Sequence, residues 1–294
     1  MNLFSESFLS VPNAIIVEAI KTDGVFCARA ALTENFLSAI CEDVARTGYG
    51  LNRNWISSVY TYDQLFLCHM FAVSRSFVKF STHPRFFQLF DQILEGNYRL
   101  KAHRYYETYG GHHMQWHTDN KRDRVFAHIP GLIVIAYLSD VEDGEFQFVR
   151  GSHKWSAKMG YSDYTNQFVE QDCHSDILSF KGPKGTLIIY DAQCIHRAKP
   201  TKKGSFVRKS ILFQVDGALD AGEPLLINPE YIHNLDERTK RYLGFGQPSG
   251  ISLYPQTDLS TMPLSRQSEV FRHYISRLLP RQFKSKVKGF FRHV

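Results

Sequence analysis

Residues 131–155 read GLIVIAYLSDVEDGEFQFVRGSHKW. A run of β-branched and aromatic residues, an acidic turn ending at Gly144 and a second short apolar run make a strand–turn–strand unit. In GEFQFV, Phe146 and Phe148 alternate with polar residues, the period of a half-buried strand, and with Tyr137 they are expected to pack in the interior. Working outward, the same texture recurs in YRLKAHRYYETY upstream and in GTLIIYDA and SFVRKSILFQVD downstream. Short strands at this spacing predict a mainly β fold, a sandwich or jelly roll, over about residues 98–216.

Before this region the pattern is helical. LTENFLSAICEDVARTG predicts an amphipathic helix with Thr33 as N-cap, Phe36, Ile40 and Val44 on one face and Gly48 as the stop. HPRFFQLFDQIL predicts a second, with Phe86, Leu89, Phe90 and Ile93 on one face. IKTDGVFCARA reads as a turn at Asp23 and Gly24 running into a short strand. The expected organisation is one domain over residues 1–265 followed by a tail, 266–294.

With 294 residues, 43% hydrophobic and 22% charged, the chain can bury a sizeable core. No apolar run is long enough to cross a bilayer, and the acidic, non-basic start is unlike a signal peptide, so a cytoplasmic protein is expected. The five cysteines are odd in number and form no C-x-x-C pair, which argues against a disulfide framework or a thiolate zinc site and for small buried apolar residues. The net charge of +6 is concentrated: residues 266–294 carry eight Lys or Arg against one Glu, leaving the rest of the chain at −1. A near-neutral body argues against a nucleic-acid groove, and no nucleic-acid partner is expected.

The stretch GGHHMQWHTDNKRD, residues 110–123, places His117 and Asp119 two residues apart; 76 residues separate Asp119 from His196 in GTLIIYDAQCIHRA. On a strand, residues two apart share a face. Two imidazoles and one carboxylate match the facial triad of non-haem Fe(II) oxygenases, which leaves metal positions open for a chelating cosubstrate and O2. Among thirteen histidines this spacing alone does not single out the function. Arg208 follows His196 by twelve residues, in the next strand. It is either a buried grip for the far carboxylate of a dicarboxylate or, with Lys209, the start of an edge strand.

Taken together, WHTD, the segment 131–155 with its Gly151-Ser152-His153, and GTLIIYDAQCIHRAKPTKKGSFVRKSILFQV resemble, in order and spacing, the phytanoyl-CoA dioxygenase (PhyH)-like Fe(II)/2-oxoglutarate oxygenases over about residues 20–216. The resemblance implies a double-stranded β-helix, a cupin-like jelly roll with flanking α-helices. It implies Fe(II), 2-oxoglutarate and O2 as cofactors, with iron on His117, Asp119 and His196 and the C5 carboxylate of 2-oxoglutarate on Arg208. Arg150 replaces the proline usual before Gly-Ser-His, and Thr118 stands where the family often has Gln. Thr118, Tyr105 and Thr108 are the candidates for further cosubstrate contacts, and His153 is expected to be structural. The carboxylate of Asp119 favours hydroxylation over halogenation. Desaturation, cyclisation and epimerisation remain alternative outcomes on the same scaffold, and a non-catalytic binding protein is the alternative of another class.

Several neighbours have two readings. His112 and His113 either line an entrance or are ordinary loop residues, and Trp116 is expected to pack in the core. Lys121, Arg122 and Arg124 either meet an anionic substrate or are solvated. In LLPRQFKSKVKGFFRHV, Phe283, Val287, Phe290, Phe291 and Val294 share a helical face opposite Lys284, Lys286, Lys288 and Arg292. Such a helix over 280–294 either lies on an anionic membrane surface or docks on the body of the protein. The expected partner is a small-molecule or lipid-linked substrate.

Overall fold

The computed structural model describes residues 2–46, 58–60, 64–94, 98–110, 114–119, 129–155, 165–201, 207–217, 225–246, 268 and 271. His112, His113, Lys121, Arg122, Arg124, Gly48 and the proposed tail helix over 280–294 lie outside the described residues.

Among the described residues, ten strands form two antiparallel sheets. They are β1 (Val25–Ala28), β2 (Ser58–Tyr60), β3 (Gln64–Leu67), β4 (Arg99–Tyr109), β5 (Gly131–Tyr137), β6 (Val141–Val149), β7 (Ile177–Gly182), β8 (Leu187–Asp191), β9 (His196–Ala198) and β10 (Val207–Asp216). The larger sheet runs β1-β8-β5-β10-β4-β3-β2 and the smaller β7-β6-β9. The helices are α1 (Glu6–Leu9), α2 (Asn13–Asp23), α3 (Glu34–Arg46), α4 (Met70–Val73), α5 (Arg75–Ser81), α6 (Pro84–Ile93), α7 (Asn166–Asp172) and α8 (Glu237–Tyr242). This is the expected mainly β jelly roll with flanking helices. No helix among the described residues is long and apolar enough to cross a membrane.

The large sheet is covered on both faces, which explains why β5 and β8 read as continuous apolar runs rather than alternating ones. Strand alternation then sorts each run. Leu132, Val134, Ala136, Leu187, Ile189, Ile211, Phe213 and Val215 join the helix-side core with Ile20, Phe36, Phe77, Phe86 and Phe90. Ile133, Tyr137, Ile188 and Tyr190 face the small sheet and pack with Phe146 and Phe148. The two predicted helices form as read. In α3, Thr33 Oγ1 accepts the Phe36 N–H, and Phe36, Ile40 and Val44 are buried. In α6, His83 caps the start, Pro84 occupies the first turn, and Phe86, Leu89, Phe90 and Ile93 are buried.

Two of the differences from the sequence reading bear on the small sheet and its surroundings. Asp23 and Gly24 do not form an isolated turn: they end α2, which buries Ile16, Val17 and Ile20. Gly24 sits at φ +87°, closing the helix with its N–H on Ile20 O at 2.9 Å. A Cβ there would lie 2.5 Å from Cys194 Sγ and 2.7 Å from His153 Nδ1, so the chain passes this point only as glycine. From that position Gly24 O accepts the Asp191 N–H at 2.9 Å, and Asp23 O accepts the Gly151 N–H at 2.8 Å. His153 has a structural contact, its Nε2 lying 3.2 Å from Lys21 O. The second difference is β7, a half-exposed strand on the edge of the small sheet. Cys68, Cys173 and Cys194 are buried and Cys27 and Cys41 half-buried.

Phe213 is the aromatic hinge of the helix-side core. It is fully buried, with ring centroids 5.3 Å from Phe86, 5.7 Å from Phe80 and 6.4 Å from Phe90. Phe213→Ala is expected to cost about 3–5 kcal/mol of unfolding free energy, read from a urea midpoint at unchanged slope. A loss below about 1 kcal/mol would mean that the core is not organised around this ring.

Candidate metal centre

Two short backbone segments build the site. β9 pairs with β6, setting His196 opposite Phe148 and Arg197 opposite Gln147. On its other side β9 meets an isolated bridge rather than a full strand: His117 N–H donates to His196 O at 3.0 Å and His196 N–H to His117 O at 2.9 Å. The H-x-D segment is therefore held by one bridge and by the Asp119 N–H on Ala192 O at 3.2 Å, not by the regular strand expected from its spacing. The bridge register sets Trp116 opposite Arg197 on the reverse side. There the Arg197 guanidinium lies 4.3 Å from the Trp116 ring centroid and donates to Gln147 Oε1 at 2.9 Å and Glu170 Oε1 at 2.7 Å. Trp116 is buried in a small apolar cluster, as its core reading required.

The side chains converge. Ligand atoms of His117, Asp119 and His196 all lie within 4.8 Å of one another. His196 Nε2 is 3.0 Å from Asp119 Oδ2, and His117 Nε2 is 3.9 Å from Asp119 Oδ1. Each imidazole sits with Nδ1 against a backbone carbonyl, His117 on Gln115 O at 2.9 Å and His196 on Cys194 O at 3.0 Å. A carbonyl only accepts, so both Nδ1 atoms carry hydrogen and Nε2 of each ring is the nitrogen turned to the cluster, as metal ligation needs. Burial, helped by the neighbouring His196, pushes the His117 pKa down to about 4, so this imidazole is neutral near pH 7. Burial alone would raise the Asp119 carboxyl, but His196, His117 and the Tyr190 hydroxyl outweigh it and hold the pKa at about 2. Two imidazoles and one carboxylate fit a divalent iron with open positions.

Arg208 approaches from the large sheet. The β10–β4 register sets it opposite Thr108, and the same face of β10 carries Ser210 and Gln214, opposite Tyr137 and Ile133 of β5. Ile133 in turn lies opposite Tyr190. Arg208 and Tyr190 thus face the same inter-sheet space, and the Tyr190 hydroxyl reaches Asp119 Oδ2 at 3.2 Å and His196 Nε2 at 3.4 Å. Arg208 is 7% exposed, donates to Gly144 O and to Thr108 Oγ1, and keeps a buried Nε with no hydrogen-bond partner. Among the described residues no carboxylate pairs with it within ion-pair distance. The edge-strand alternative fails, because β10 lies between β5 and β4.

The three further contact candidates separate. Thr108 shares the Arg208 face and accepts from it at 3.4 Å. Thr118 is half-buried between the two ligands of the H-x-D segment. Tyr105 is a correction: it pairs with Ile211, is buried in the helix-side core, and donates to Glu107 Oε1 at 2.8 Å, on the opposite face of the sheet from Arg208. Strand alternation is the reason. Tyr105 and Thr108 are three apart and cannot share a face; Tyr106, opposite Ser210, is the tyrosine on the inter-sheet side. Sequence reasoning missed Tyr106 and Tyr190, although the parity of YYET and of LIIYD held the signal.

A family model for phytanoyl-CoA dioxygenase (PhyH) matches residues 20–210. No curated protein matches the chain in sequence. Among solved structures, HygX from Streptomyces hygroscopicus with nickel, 2-oxoglutarate and hygromycin B bound is similar in fold, with a TM-score of 0.54 at 14% identity over 69% of this chain and 86% of that one. Apo HygX gives a TM-score of 0.54 at 13% identity over 72% and 90%. With the match to most of its length and a His-Asp-His cluster in place, the chain belongs to the phytanoyl-CoA dioxygenase family, oxygenases that use Fe(II), 2-oxoglutarate and O2.

Proposed function

We propose that this protein hydroxylates an aliphatic C–H bond of a small-molecule or a lipid- or glycan-linked substrate, releasing succinate and CO2. The observation that carries the reading is the buried, part-unpartnered Arg208 on the inter-sheet face that also carries Tyr190, beside the His117, Asp119 and His196 cluster. Bound iron with 2-oxoglutarate and O2 supplies oxidative decarboxylation of the cosubstrate coupled to insertion of one oxygen atom into the C–H bond. The chain's own groups hold and orient. His117, Asp119 and His196 would present two imidazole nitrogens and one carboxylate oxygen to the metal. Arg208, its charge raised in energy by burial, offers the far carboxylate of 2-oxoglutarate a charge-assisted partner, with Thr108 beside it. Phe146, 5.4 Å from the His196 ring and 4.8 Å from that of Tyr190, walls the site against water. The basic, amphipathic pattern of residues 280–294 supports a substrate met at an anionic membrane surface.

An anaerobic absorption titration with Fe(II) and then 2-oxoglutarate tests the assignment. Wild type should give a weak visible charge-transfer band, and His196→Ala should give none. Arg208→Ala should need about 10- to 100-fold more 2-oxoglutarate, the worth of a charge-assisted hydrogen bond or two. A band that forms equally well without Arg208 would remove it from the cosubstrate site.

The metal-free protein should also be acid-sensitive in a defined window. His117 titrates lower in the folded chain than its ordinary 6.5, at about 4. A depressed folded pKa gives stability that is fully present above pH 6.5 and is lost as the pH falls through 4. The fully buried His103, whose Nδ1 accepts the Met70 N–H, adds in the same direction. Melting temperature should fall across this window, less steeply in His117→Gln; identical slopes would mean that His117 is solvated when the metal is absent.

A further inference from the structure

We propose that Tyr190 is a positioning residue of the metal centre: its hydroxyl occupies one oxygen of Asp119, so that the carboxylate offers its other oxygen to the metal. The inference rests on the reading of His117, Asp119 and His196 as metal ligands.

Tyr190 lies on β8, between β1 and β5 in a sheet covered on both sides, and is 1% exposed. Its ring packs among Ile133, Phe146, Phe148 and Ile188, none of which offers a side-chain acceptor. A buried hydroxyl without a partner is costly, so the local geometry must supply one. Two acceptors are within reach: Asp119 Oδ2 at 3.2 Å and His196 Nε2 at 3.4 Å. Of these the carboxylate is charged and makes the stronger bond. His196 Nδ1 is already engaged with Cys194 O, so Nε2 is the nitrogen left for the metal. Once Nε2 is a ligand, Asp119 Oδ2 is the remaining acceptor for the hydroxyl. Metal binding and the Tyr190–Asp119 hydrogen bond therefore reinforce one another.

The consequence is geometric. Asp119 is the most exposed of the three ligands, with 32% of its side chain accessible against 22% for His117 and 5% for His196. The described backbone bonds of His117 and Asp119 are the bridge to His196 and the Asp119 N–H on Ala192 O. A carboxylate held loosely can swing or bind through both oxygens, and the second oxygen would occupy a position that a chelating cosubstrate needs. A fixed donor on one oxygen prevents this.

The test compares Mn(II) binding by isothermal titration calorimetry in the metal-free full chain, without cosubstrate, near neutral pH, for wild type, Tyr190→Phe and Tyr137→Phe. Tyr137 is the control: it is equally buried in the same cluster, but its hydroxyl donates to Phe180 O and accepts the Phe146 N–H. Tyr190→Phe keeps the ring and removes only the donor. It should weaken Mn(II) binding about 10-fold or more, the usual effect of losing a hydrogen bond to a ligand, while Tyr137→Phe leaves it unchanged. Melting of the metal-free proteins reads packing separately. If wild type binds Mn(II) and Tyr190→Phe binds it as tightly, the positioning role is overturned and the metal centre stands. Equal weakening in both variants overturns it too, because general loosening of the cluster then explains the loss. If wild type binds no metal, the centre itself falls and the inference with it.

Discussion

Everything at the centre depends on the pairing of β10 with β4 in a sheet that is buried on both faces. Alternation in such a sheet leaves no neutral side: each residue meets either the helices or the inter-sheet space. With the observed register, Arg208, Thr108, Tyr106 and Ser210 face inward, and Ile211, Phe213 and Tyr105 face the helices. A slip by one residue would drive the arginine into a cluster of phenylalanines and bring Lys209 and Ile211 to the site. The aromatic packing around Phe213 therefore does more than stabilise the fold. By fixing which face is apolar, it fixes where the guanidinium goes.

The electrostatics of the site follow from the same burial. Removing water lowers the proton affinity of His117 and disfavours the charge on Arg208. Each is thereby prepared for a partner of a particular kind, the imidazole for a cation and the guanidinium for an anion. The carboxylate of Asp119 is the countercharge, shared among His196, His117 and Tyr190. On the proposed reading, a metal and a dicarboxylate would meet groups that are already oriented, and little reorganisation would remain to be done on binding.

Much of this was readable from residue order. Except for β7, the strands from Arg99 to Asp216 lie in stretches that read as strands, and His117, Asp119, His196 and Arg208 stand out by their spacing and by the resemblance that spacing supports. What escaped reading has physical causes. The Gly24 that caps α2 looks the same in sequence as a turn glycine, because both need a left-handed backbone. β7 is half-exposed and lacks an apolar run. Tyr105 and Tyr106 are adjacent and chemically identical, so only the partner strand decides which faces the site. Tyr190 was hidden in an ordinary core strand, since its function lies in one oxygen atom at the end of a buried ring.

Gly24 carries one last implication. The first 28 residues are not an appendage to the oxygenase. β1 covers the edge of β8, and the end of α2 holds the backbone of Asp191 and Gly151 on either side of the loop that leads to His196. A shortened chain that starts after β1 would keep every ligand and lose the mooring of the strand that carries Tyr190. It would also bare a long apolar edge, open to pairing with other molecules. For anyone engineering this protein, α2 and β1 are therefore poor places to trim, because they hold the backbone around Asp191 and Gly151 beside the strand that carries His196.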